Sequence, residues 1–272
     1  MTESATTISD QKSVIVTGAS SGIGEAIAAH LHRSGWRVFG TMRRPDPDRH
    51  GPDALKLDVT SDQSLEAAVA EVLARTGRID AVVNNAGVDM LGAVEETTAQ
   101  EALDLFQTNF FGVHRLVRAV LPAMRARKAG RLVTIGSIAG FLPTPFEAFY
   151  SASKHALEGY CESLDFEVRP FGIHTVLIEP GFVRTQIRGN LTRTAASIGA
   201  YAEGRERVGG SFDRGVQAGV DPVRVAEVVE RALASSRPKL RMRVGRDAHL
   251  LHFVYHHLPG AMFAAGMRRR FG

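Results

Sequence analysis

Ser13-Val14-Ile15-Val16-Thr17-Gly18-Ala19-Ser20-Ser21-Gly22-Ile23-Gly24 is the stretch that decides how this chain folds. Ser13 to Thr17 is a short apolar run that predicts a buried strand, and Glu25 to Arg33 carries helical periodicity. Between them the first glycine permits a tight turn. The later glycines let backbone approach a pyrophosphate, and the N-terminal amides of the following helix face it. Strand, glycine turn and helix in that order are a nucleotide-binding unit, with Gly18, Ser20, Ser21, Gly22, Ile23 and Gly24 as its cradle.

The pattern continues outward. Trp36 to Met42, Leu55 to Asp58, Asp80 to Asn84, Arg131 to Ser137 and Ile173 to Glu179 each predict a short buried strand. Helical patterns at Asp62 to Thr76, Gln100 to Lys128 and Glu147 to Arg169 lie between them. Such alternation predicts an α/β fold, a single Rossmann-type doubly wound, mostly parallel sheet with helices on both faces. In such a sheet ligands bind beyond the carboxyl ends of the strands. Gly18, Asp58, Asn85, Ser137 and Pro180 all fall there.

No repeat, low-complexity tract or linker interrupts the 272 residues, so residues 1–272 are expected to form one dinucleotide-binding and catalytic domain. Thr185 to Gly219 differs from the rest. Its seven glycines are expected to break any long regular element directly after a strand ending at the site, which makes it a substrate lid. Beyond it come a helix from Asp221 to Ser235, a strand at Leu240 to Val244, and an apolar-aromatic stretch from Leu250 to Phe263 before Arg268-Arg269-Arg270. This tail is expected to pack on the domain or a partner subunit rather than on a membrane surface. The spacing of His252, His256 and His257 among aromatics reads as packing, so no metal site is expected.

Hydrophobic residues make up 44% and charged residues 23%, the balance of a soluble globular protein. The lone Cys161 leaves no internal disulfide and asks for no oxidising compartment. Met1 to Gln11 is polar, and no apolar run approaches a membrane span, so a cytoplasmic protein is expected. The net charge of +4 comes from basic residues scattered along the chain, which excludes an evident nucleic-acid surface.

The cofactor reads as NADP(H) rather than NAD(H). An acidic residue about 20 positions beyond the glycines holds a ribose 2′-hydroxyl, whereas arginine accommodates a 2′-phosphate. Here Thr41-Met42-Arg43-Arg44 supplies no carboxylate, and Arg43 and Arg44 are the expected phosphate ligands. Downstream stand Ser137, Tyr150 and Lys154. Tyrosine is a poor acid at neutral pH, with an unperturbed pKa of about 10, but a lysine at i+4 shares its helix face and favours the phenolate. Tyrosine, lysine and serine beside a dinucleotide point to hydride exchange at a carbonyl carbon, with Tyr150 moving the proton.

Through these segments the chain resembles the short-chain dehydrogenase/reductase family. The matching stretches are Thr17 to Gly24, Leu57-Asp58-Val59, Asn84-Asn85-Ala86-Gly87, the Asn109 region, Ser137, Tyr150-Ser151-Ala152-Ser153-Lys154 and Pro180-Gly181 with Thr185. The resemblance implies that Asp58 and Val59 flank the adenine, Asn85, Ala86 and Gly87 support the cofactor ribose, and Pro180, Gly181, Val183 and Thr185 meet the nicotinamide end. It also implies that Lys154 binds the nicotinamide ribose, that Asn109 completes a water-linked proton relay, and that the protein is a homo-dimer or homo-tetramer. Asn109-Phe110-Phe111-Gly112, Leu157-Glu158-Gly159 and Leu258-Pro259-Gly260 look most like the group containing 17β-hydroxysteroid and retinol dehydrogenases. An NADP-dependent enzyme interconverting a secondary alcohol and a ketone follows, on a lipophilic, steroid-like substrate. A ketoreductase for small or polyketide-like carbonyls, or a catalytically silent NADPH sensor, are the competing readings. The pocket would be lined by Gly87 to Leu91, Phe141 to Phe149 and the lid, with Met90, Leu142, Phe146 and Ile187 as apolar members.

Overall fold

The computed structural model describes residues 11–185 and 191–271. Ile187 and Gly189, part of the expected lid, lie outside them. In chain order the elements are β1 (Ser13–Thr17), α1 (Gly22–Arg33), β2 (Arg37–Met42), the single turn α2 (Pro47–His50), β3 (Leu55–Lys56), α3 (Asp62–Thr76), β4 (Ala81–Asn84) and β5 (Asp89–Leu91). Then follow α4 (Ala99–Phe106), α5 (Gly112–Ala126), β6 (Gly130–Ile135), α6 (Ala148–Val168), β7 (Ile173–Pro180), β8 (Leu191–Arg193), α7 (Ala202–Ala218), α8 (Pro222–Ala234), β9 (Arg241–Val244), α9 (Arg246–His257) and α10 (Gly260–Phe271).

Seven strands form one parallel sheet in the order β3-β2-β1-β4-β6-β7-β9. Its strands read as continuous apolar runs because both faces are covered. In β1, Val14 and Val16 join the core under α1 and α8, with Ile27, Leu31, Val225 and Val229. Ile15 joins the opposite core under α3, α5 and α6, with Leu65, Val69, Leu116, Val120 and Leu157. After β3 the chain re-enters the sheet on the other side of β1 as β4. Strand order therefore reverses between β1 and β4, and a cleft opens at their carboxyl ends.

Helix α3 has the expected limits because both ends are closed: Ser61 Oγ accepts from Ser64 N at 3.2 Å, and Gly77 ends the helix with a left-handed φ of 69°. Elsewhere the expected elements were too coarse. The span Gln100 to Lys128 is two helices joined by a π turn at Gln107–Phe111. Leu250 to Phe263 is also two helices, parted at Leu258-Pro259, because the residue before a proline leaves the helical region.

The expected irregular lid is corrected most. Its second half is the 17-residue helix α7, and Leu191–Arg193 pairs in parallel with β5. Two of the glycines in α7 serve close packing rather than interruption. A Cβ on Gly204 would lie 2.7 Å from the Phe146 ring, and one on Gly215 would lie 2.6 Å from the Phe182 ring. Among the described residues no helix is long and apolar enough to cross a membrane.

Candidate active site

The reversal point between β1 and β4 is fixed by side chains before any ligand arrives. Thr17 Oγ1 accepts from the backbone N–H groups of Asn85 at 2.9 Å and Ala86 at 3.0 Å. Asn85 Nδ2 donates to Thr17 O at 2.9 Å and Gly18 O at 3.2 Å. These bonds hold the ends of β1 and β4 against each other and set the glycine turn. Gly18 adopts φ 65°, and a Cβ there would lie 3.0 Å from Ala86 Cα. Ser21 caps α1 in extended geometry without a side-chain hydrogen bond, so the first amides of α1 remain available to an anion.

Beside this turn lies a cavity of about 320 Å³. It brings together Gly18, Ser20, Ser21, Gly22, Ile23, Arg43, Asp58, Val59, Asn85, Ala86, Gly87 and Thr185, all expected from the sequence. Met42, Leu57, Thr60, Val88 and Thr108 also line it and were missed. All but Thr108, which lies in the π turn, share the strand ends of the matched motifs, which was the available signal. Gly24 and Arg44 do not line it. Gly24 instead lets α1 approach, since a Cβ there would lie 2.2 Å from Gly18 O. Thr60 N and Oγ1 donate to Asp58 Oδ1 at 2.9 and 2.7 Å, bonds that hold the carboxyl below its ordinary pKa. Arg43 adds its positive charge in the same direction.

A second cavity of about 170 Å³ adjoins the first through Ile23, Asn85, Gly87, Val88 and Thr185. Ser137, Tyr150, Lys154, Pro180, Gly181 and Val183 meet there. Ser137 stands just past β6, where its Oγ accepts from Ala139 N at 3.1 Å, and it is the hydrogen-bond partner of the Tyr150 hydroxyl. Lys154, one turn along α6 from Tyr150, has Nζ 5.7 Å from the tyrosine ring centre and donates to Ile135 O at 3.0 Å. The apolar wall comes from Ile138, Phe182, Val183, Phe212 and Val216. Met90 and Leu142, expected in that wall, are buried in the framework behind it, and Phe146 packs on α7 at Gly204.

Asn109 lies in neither cavity. The π turn swings it inward, where Oδ1 accepts from Val88 N at 2.8 Å and Nδ2 donates to Val88 O at 2.8 Å and Ser153 Oγ at 3.2 Å. Ser153 Oγ in turn donates to Tyr150 O at 2.7 Å. Asn109 therefore ties the loop after β4 to the tyrosine-bearing turn of α6.

The electrostatics differ from the sequence expectation. Tyr150 is pushed up rather than down, first by burial and then by the negative charges of Asp89 and Glu147, with only the Ser137 bond opposing. Lys154, whose ammonium donates to Ile135 O, is not among the groups that shift it, while burial brings Lys154 itself down to about 8. Sequence reading passed over Asp89 and Glu147 as individuals. Both line the second cavity, and burial raises Asp89 to about 6 and Glu147, beside it, to about 9.

The Glu147 shift has a thermodynamic consequence. Between its ordinary value of 4.5 and about 9, the folded protein retains a proton that the unfolded chain has lost, so stability falls as pH rises through that window. Glu147→Gln removes the titration. Its Tm should exceed that of the parent near pH 9 and match it near pH 4.5 in circular-dichroism melts. A gain independent of pH would contradict this account.

A doubly wound sheet with a dinucleotide cleft at its reversal point, adjoined by a second cavity that holds a half-buried tyrosine, defines a nicotinamide-dependent oxidoreductase. The sequence profile described as short chain dehydrogenase matches residues 12–196, and the chain belongs to that family. It is 36% identical over 234 residues to a 3-ketodihydrosphingosine reductase of Bacteroides thetaiotaomicron, covering 85% of this chain and 87% of the relative. It is 35% identical over 258 residues to bovine retinol dehydrogenase 8, covering 85% and 81%, which supports the expected subgroup. Among solved structures, a short-chain dehydrogenase from Streptomyces avermitilis superposes with TM-score 0.83 at 38% identity, covering 94% and 95%. A variant actinorhodin polyketide ketoreductase with NADPH superposes with TM-score 0.75 at 33% identity, covering 88% and 97%.

Proposed function

We propose that this protein is an NADP-dependent ketone reductase acting on a lipophilic substrate through Ser137, Tyr150 and Lys154. The observation that carries the reading is Tyr150, half-buried in the wall of the cavity that adjoins the cofactor cavity and hydrogen-bonded to Ser137. When bound, the nicotinamide supplies the hydride. Ser137 and Tyr150 hold the carbonyl oxygen where negative charge develops, and Tyr150 delivers the proton to it. A phenol whose pKa is raised holds its proton at neutral pH, the form that a donor to the carbonyl oxygen needs. Lys154 carries the positive charge that a phenolate would need and meets the nicotinamide ribose. Asn109 positions Val88 and the Tyr150 turn and completes the relay through water. The apolar wall of Phe182, Phe212 and Val216 favours a lipophilic substrate, with residues 185–219 as its lid.

The cofactor cavity fits an adenine dinucleotide phosphate. Uncapped amides of α1 face the pyrophosphate position, and Arg43 stands at the end of β2 with no carboxylate in place of it. Arg43→Ala should weaken NADPH binding about 10- to 100-fold, the worth of charge-assisted phosphate bonds, and leave NADH binding little changed in fluorescence titrations. Equal loss for both cofactors would contradict the NADP assignment.

Leu103 on α4, Phe111 in the π turn and Phe166 on α6 are exposed apolar side chains that support a homo-dimeric or homo-tetrameric contact along these helices. The polar composition and absence of a long apolar helix among the described residues support a cytoplasmic setting. Likeness to the polyketide ketoreductase favours a second reading, a smaller or polyketide-like carbonyl substrate. Oxidation of NADPH in the presence of a ketone panel tests the proposal. Cofactor binding with turnover of no ketone would overturn it and leave a nucleotide sensor.

A further inference from the structure

The substrate cavity contains an acid pair that ketone reduction does not require. Asp89 on β5 is 2% exposed and Glu147, at the start of α6, is 4% exposed, yet both line the cavity shared with Ser137 and Tyr150. Asp89 Oδ1 accepts from Met90 N at 2.7 Å, while Oδ2 has no hydrogen-bond donor among the described residues. The Glu147 carboxyl bonds Thr144, and neither acid makes an ion pair among the described residues. The nearest cation, Lys154, is held by Ile135 O. From the other walls come Ser137, Tyr150 and Thr144, and from α7 only Phe212 and Val216, so among the described residues no cationic side chain besides Lys154 lines the cavity with the pair.

Two adjoining buried carboxyls without a counter-ion cannot both ionise, so Glu147 holds its proton, at a cost in stability above its ordinary pKa. A neutral hydroxyl on the substrate would need one acceptor, which Asp89 Oδ2 alone supplies. It would leave Glu147 protonated, because it brings no positive charge. A cation placed between them removes the conflict and lets Glu147 ionise as well. Away from the acids and the Ser137–Tyr150–Lys154 group the wall includes Ile138, Phe182, Val183, Phe212 and Val216, so the complementary ligand has one charged end and one greasy end.

We propose that the substrate is an amphiphilic ketone with a protonated amine close to its carbonyl, the ammonium seated between Asp89 and Glu147 and the apolar remainder against Phe182, Phe212 and Val216. This rests on the ketone-reductase reading of the same site. It replaces a purely hydrocarbon, steroid-like occupant with a cationic lipid-like one.

A matched series tests it: 1-amino-2-undecanone, 1-hydroxy-2-undecanone and 2-undecanone, each reduced with NADPH. The amine should be preferred about 10- to 100-fold in kcat/KM over the other two, mainly through KM, as a charge-assisted bond would confer. Asp89→Asn should bring the ratios close to one, and Glu147→Gln should lower them in the same direction. NADPH titration of each variant reports whether it is folded. Equal use of all three ketones by the parent, or a preference unchanged in both variants, overturns the acid pair as an ammonium site. Equal preference for the amine and the hydroxyl assigns the pair to a neutral donor instead and overturns the proposal too. If no ketone is reduced, the reductase reading fails. Calorimetry of 1-amino-2-undecanone with the NADP-loaded protein then decides the inference separately: binding lost in Asp89→Asn supports it, and absence of binding overturns it.

Discussion

Tyr150→Phe should lower NADPH-dependent ketone reduction by roughly two to four orders of magnitude while NADPH still binds. The substitution deletes one oxygen and keeps the ring, so the packing around α6 is preserved. The deleted hydroxyl has Ser137 as its partner, and Ser137 retains the bond from Ala139 N at 3.1 Å, so its oxygen is not orphaned. What disappears is the proton source beside the carbonyl oxygen. The cofactor cavity is built by the β1 turn, Arg43, Asp58 and the end of β4, and loses nothing. Single-turnover reduction followed by nicotinamide absorbance, with NADPH titration on the same sample, checks both halves. Turnover within tenfold of the parent would remove Tyr150 from the chemistry, since general acid catalysis contributes at least about 100-fold.

Gly24→Ala should cost about 3 kcal/mol or more of stability and abolish measurable NADPH binding. Its Cβ would lie 2.2 Å from Gly18 O and 2.4 Å from Asn85 Nδ2. Neither atom can yield. Gly18 O is backbone in a left-handed turn, and Asn85 Nδ2 is committed to Thr17 O and Gly18 O. Relief requires α1 to move away from the strand ends, which shifts Ile27 and Leu31 out of the core and carries the helix amides away from the phosphate position. Gly159→Ala is the matched control: it sits inside α6 with nothing within 4 Å of a Cβ, and should stabilise by about 0.5–1 kcal/mol. Thermal melts of the two variants should move in opposite directions, and a Gly24→Ala protein as stable as the parent would contradict the close-approach argument.

Much of this was legible because it is local. The strand, turn and helix at Ser13 to Arg33 announce themselves by periodicity and glycine spacing, and Tyr150 and Lys154 by their separation on one helix. Other features depend on contacts that sequence spacing does not carry. The π turn at Gln107–Phe111 inserts no breaker, so Gln100 to Lys128 reads as one helix until Asn109 is seen bonded to Val88 and Ser153. The glycines of α7 imitate loop punctuation, and only their partners Phe146 and Phe182 reveal helix packing. Asp89 and Glu147 are far apart in the chain and meet through the sheet's end. Burial first, and then the charge of each acid on the phenol, reverses the expected direction of the Tyr150 shift. The parting at Leu258-Pro259 was legible from the proline and was overlooked.

The glycines that let α7 lie close to Phe146 and Phe182 also make that helix a poor one by itself. Gly204, Gly209, Gly210 and Gly215 each forfeit about 1 kcal/mol of intrinsic helicity relative to alanine. Its persistence is therefore borrowed from the aromatic rings beneath it and from whatever fills the space against Phe212 and Val216. Removing the Phe146 or Phe182 ring should therefore loosen α7 along its length, since its own residues do little to hold it helical.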